Sequence, residues 1–170
     1  MMKRIVLTLL ASIFCLLATA QTRTYADNAS GTFIFGLDSY FYGRSGVLEF
    51  KADGKPFQAT VEGGDVYVDG QPLEGGRGEV VVGIHDFTGN RIPELVVARR
   101  NKGWVAVALY KLSGGRWIPA GHIDPVDGSE IRVFRQVISV RDGDTLHSWT
   151  WHGDRFDYLP CRADGQGRDP

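Results

Sequence analysis

Turn signals recur along this chain roughly every ten to sixteen residues, and no window between them reads as an amphipathic helix. Asp53-Gly54, Asp69-Gly70, Gly114-Gly115, Asp142-Gly143 and Gly153-Asp154 each separate short apolar runs. Such pairs supply the positive φ that a tight hairpin turn needs, so the flanking runs should pair antiparallel. Parallel neighbours would need a long crossover. The expected fold is all-β: an antiparallel meander of blade-like sheets, arranged as a sandwich or as part of a propeller.

The centre of the chain is its most apolar part. Val80-Val81-Val82-Gly83-Ile84 and Leu95-Val96-Val97-Ala98 run without clean alternation, which predicts strands buried on both faces. From Trp104 to Leu112 the even positions form one face, and Val105, Val107 and Leu109 form the other. Shorter runs at Val47 to Ala52, Phe57 to Val61, Ile131 to Phe134, Val137 to Val140, Leu146 to Trp151 and Phe156 to Leu159 complete the set. The Gly-rich stretch Glu74 to Gly78 marks the best seam between subregions.

The first twenty residues are not expected in the fold. Lys3 and Arg4 precede an apolar run from Ile5 to Ala18, and Ala18-Thr19-Ala20 is a small-x-small cleavage site. That is the pattern of a secretory signal peptide, and the run is short for a membrane span. Residues 21–160 then form a single all-β domain and 161–170 a polar tail. Cleavage would leave Cys161 as the sole cysteine, so no internal disulfide is expected and the core must carry stability. The expected location is periplasmic or extracellular, with no membrane span. Nineteen Lys+Arg against 20 Asp+Glu give a net charge of −1, which argues against a nucleic-acid partner.

One loop has a chemical rationale. Asp86, Thr88, Asn90 and Glu94 place oxygen-bearing side chains at positions one, three, five and nine between two strong strands. Hard cations such as Ca²⁺ take six to eight oxygens, and Gly89 permits a sharp turn. The segment resembles the FG-GAP (integrin α-chain-like) repeat, whose core runs Asp-x-Asn/Asp-Gly-Asp-Gly-x-x-Asp/Glu-Leu. The resemblance covers about Val80 to Ile123 and implies one four-stranded propeller blade with a Ca²⁺ loop. Asp86, Asn90 and Glu94 match its liganding positions, and Leu95-Val96-Val97 its following strand. Thr88 and Arg91 depart from the pattern: one removes a carboxylate, the other sets a cation beside the site. The alternatives are a Ca²⁺ site or no cofactor, with Asp86 bonding the following amides as an Asx-turn.

No catalytic constellation stands out. His85, His122, His147 and His152 share no metal-ligand spacing, and no Gly-x-Ser-x-Gly elbow occurs. Aromatic residues make the better case for binding. Tyr40, Phe41 and Tyr42 are consecutive and cannot all face one core. His147, Trp149 and Trp151 share one strand face, as partner anchors or as a cap on the core. The expected function is non-catalytic binding to another exported protein, as an inhibitor, immunity-like protein or accessory subunit. A carbohydrate-binding module is the alternative, and a small hydrolase the third.

Overall fold

A computed structural model describes residues 46–159 in full and the backbone of two short strands before them. Residues 1–20, the aromatic run Tyr40, Phe41 and Tyr42, and the tail with Cys161 lie outside the described residues. Every described element is a strand. The first two are β1 (Gln21–Thr24) and β2 (Gly31–Ile34).

Three four-stranded meanders follow. The first is β3 (Gly46–Ala52), β4 (Lys55–Glu62), β5 (Asp65–Val68) and β6 (Gln71–Glu74). The second is β7 (Glu79–His85), β8 (Glu94–Asn101), β9 (Trp104–Ser113) and β10 (Arg116–Asp127). The third is β11 (Glu130–Phe134), β12 (Val137–Asp142), β13 (Thr145–Trp151) and β14 (Phe156–Leu159). Within each meander neighbours pair antiparallel, as the turn signals predict. β1 joins the first sheet in parallel beside β3, and β2 joins the third beside β11. The blade expected over 80–123 is the second meander, and two further sheets share its plan.

The sheets stack with the second in the middle. Val80, Val82, Ile84, Leu95, Val97 and Tyr110 pack against Leu48, Phe50, Val61 and Val66 of the first sheet. Val81, Val96, Ala98, Val105, Val107 and Leu109 pack against Ile131, Val133, Ile138 and Val140 of the third. Alternate side chains of one strand thus enter opposite cores. That is why β7 and β8 are apolar at nearly every position, whereas β3 alternates with exposed Glu49 and Lys51.

Polar clamps hold the first sheet to the second. The Arg99 guanidinium donates to the carbonyls of Gly64 at 2.8 Å and Gly76 at 3.0 Å, and pairs with Glu74 at 3.2 Å. The Tyr110 hydroxyl donates to the other Glu74 oxygen at 3.1 Å. Burial, with the Glu74 charge beside it, pushes the Tyr110 phenol well above its ordinary value. Elsewhere the Gln71 amide grips the Trp117 main chain, donating to its carbonyl at 2.8 Å and accepting its N–H at 3.3 Å. The seam expected at Glu74 to Gly78 is the connection these bonds fasten. Gly64, at φ +99°, has no room for a side chain, because a Cβ would stand 2.5 Å from the Gly76 carbonyl oxygen.

Candidate functional site

The loop from Asp86 to Pro93 closes on its own hydrogen bonds. The Asp86 carboxylate accepts the amides of Gly89 at 2.7 Å, Asn90 at 3.2 Å and Arg91 at 2.8 Å, and the Thr88 hydroxyl at 3.3 Å. The Asn90 side-chain oxygen accepts the Ile92 amide at 2.7 Å. Glu94 accepts the Phe87 amide at 2.9 Å and the Thr88 hydroxyl at 3.4 Å. Gly89 at φ 72° and Arg91 at φ 67° supply the left-handed residues that the turn requires.

This donor set does not fit a Ca²⁺ cage. Each of the four side chains expected as ligands is engaged with N–H or O–H donors of the loop. No group of three or more His, Cys, Asp or Glu residues is placed to hold a metal among the described residues. Asp86 therefore does locally what an Asx-turn does. The melting temperature is expected to be the same in millimolar Ca²⁺ and in excess chelator. Asp86→Ala should cost about 1–2 kcal/mol in either condition, by analogy with loss of a helix cap. A melting point that falls on chelation in the wild type but not in Asp86→Ala would restore the metal.

Glu94 is buried, at 4% exposure, and desolvation raises its carboxyl pKa above the ordinary 4.5. The nearby Asp86 charge pushes the same way, and the bonds from Phe87 and Thr88 oppose it. An acid whose folded pKa lies above its unfolded value stabilises most while protonated in both states. Its contribution is full below 4.5 and is lost as pH rises through the folded pKa. Relative to wild type, Glu94→Gln should therefore gain stability as pH climbs from 4.5 toward neutrality. Urea midpoints of both proteins across that range measure this, and parallel curves would contradict it.

Thr88, Asn90 and Glu94 border a hollow of about 220 Å³ with Ile92, Pro93, Lys111 and Trp151. The structure thus brings three of the four loop residues together with one of the two expected anchors. Trp151 and Trp149 correct the expectation of exposed partner anchors, since they are 3% and 9% exposed. Both face the core shared with the second sheet. The Trp151 ring slides beneath Gly121, where a Cβ would stand 2.6 Å from its Cζ3, and it packs on Phe156 at 4.9 Å. Its face of β13 turns inward because Ser148, on the other face, bonds Ser139 across the strands at 2.8 Å.

The exposed aromatic is one strand further out. Tyr158 lies opposite Trp149 in register, with ring centroids 5.5 Å apart, and its hydroxyl is 3.4 Å from His147 Nδ1. β14 is the sheet edge, so Tyr158 is covered on one side only and stays 50% exposed. Leu159 beside it is 42% exposed. The sequence held the signal in part: two-residue alternation puts Tyr158 and Phe156 on one face, but nothing local says which strand ends the sheet.

No family model, curated protein or solved structure matches this chain. The FG-GAP-like reading of the loop rests on its residues alone.

Proposed function

We propose that this chain is an exported, non-catalytic protein that binds another exported protein through the open side of its third sheet. Export follows from the charged, apolar and small-residue pattern of Met1 to Ala20. One observation carries the binding reading: the edge at β14 leaves Tyr158 and Leu159 exposed over a support of buried Trp149 and His147. A Tyr ring held in place by packing gives contact area at small entropic cost, as interface anchors do. The opposite outer face, on the first sheet, carries exposed Glu49, Lys51, Gln58 and Glu62 and suits water.

The hollow beside Glu94 favours a second reading, a glycan, since its walls pair an indole and Leu112 with amide, carboxyl and ammonium groups. Tyr158→Ala separates the two. It should weaken the partner protein by about 1–3 kcal/mol in titration calorimetry with little change in melting temperature. Unchanged protein affinity together with saturable monosaccharide binding would favour the glycan.

A further inference from the structure

Each meander ends in an edge strand, and the three edges differ. β6 is four residues long, contains Pro72 and faces a register shift at Val66/Tyr67. β10 contains Pro119 and Pro125 and shifts register at Pro119/Gly121 and at Ile123/Val126. Prolines and bulges are how proteins stop another strand from pairing. β14 has neither: Phe156, Asp157, Tyr158 and Leu159 pair with Trp151, Thr150, Trp149 and Ser148 in unbroken register.

Its free rungs can be assigned. The His152 amide donates to the Arg155 carbonyl at 2.9 Å and closes the turn before β14. Antiparallel pairs alternate, so Asp157 and Leu159 exchange bonds with β13. The N–H and C=O groups of Phe156 and Tyr158 then point away from it. No described strand lies on that side.

We propose that β14 takes up an extended segment of the partner as an added strand. The inference rests on the protein-binding reading above and names its mode. Main-chain groups at Phe156 and Tyr158 would give affinity, and side chains on the two faces would give selection. Toward the core side the segment meets the rings of Phe156 and Tyr158, so alternate residues are apolar. Toward the other side it meets Asp157, which already pairs with Arg155 at 2.9 Å and lies 3.7 Å from His152, so the residue opposite is basic. A second copy of the chain fits less well, because full antiparallel overlap of two β14 strands sets Asp157 against Asp157.

The test uses a synthetic peptide, Thr-Val-Lys-Val-Lys-Val-Thr, and the same peptide N-methylated at alternate residues. The unmethylated peptide is expected to shift the amide resonances of Phe156 and Tyr158 in two-dimensional NMR, and methylation in the pairing register to abolish the shift. Tyr158→Pro removes one outward N–H without touching the β13 bonds and should weaken the peptide about tenfold, whereas Tyr158→Ala keeps the N–H. Asp157→Lys, on the solvent side, should reverse the preference toward a Val/Glu peptide and serves if the proline variant fails to fold. Indifference to methylation, or shifts confined to other strands, overturns strand addition. So does a concentration-dependent dimer that Tyr158→Pro dissolves. If the peptides fail while the natural partner still depends on the Tyr158 ring, protein binding stands and its strand mode falls; if both fail, both readings fall.

Discussion

Val107→Asp is expected to abolish cooperative folding. Val107 is 2% exposed and stands in the middle of β9, the strand flanked by β8 and β10 in the central sheet. Its side chain enters the core with Ile131, Val133, Ile138 and Val140 of the third sheet. A carboxylate there meets no described cation and cannot reach water without separating two sheets. An uncompensated buried charge costs roughly 3–5 kcal/mol, comparable to the whole stability of many domains. Circular dichroism with urea titration reads the outcome. A soluble variant with the wild-type midpoint would remove Val107 from the core.

Trp151→Ala should lose about 3–5 kcal/mol of stability and leave a cavity. The indole is stacked between β10 and β14, beneath Gly121 and against Phe156, and nothing flexible stands by to fill its volume. The Gly121 position was shaped for this ring, so relaxation around the smaller residue would need movement of a backbone. The contrast with Tyr158→Ala is the useful part. If Trp151 were a surface anchor, its removal would weaken partner binding and spare the melting temperature. The structure predicts the reverse for Trp151.

Much of the fold was legible because hairpin turns and the two-residue period are local signals. Asp53-Gly54 and Asp69-Gly70 turn where their sequences require, with Asp53 at φ 50° and Asp69 at φ 47°. The unbroken apolar run of β7 gave away a sheet covered on both faces. Stacking order was harder, since it depends on side chains that meet across sheets, such as Gln71 with Trp117. The site was less legible still. Asp86, Thr88, Asn90 and Glu94 have the right atoms at the right spacing for a cation, and the spacing serves equally to satisfy amides. Which use prevails depends on where the oxygens point. Trp149, Trp151 and Tyr158 all share one face of the third sheet. The first two are buried and the last exposed because β14 ends the sheet, a fact of tertiary order and not of local sequence.

The central claim is that this protein meets its partner at β14. Placing the photo-crosslinking residue benzoylphenylalanine at Tyr158 tests it in the exporting cell. The control carries the same residue at Tyr67, half-buried on the outer face of the first sheet. The account predicts a discrete protein adduct from position 158 on illumination and none from position 67. No adduct from 158, or the same adduct from both positions, would contradict it.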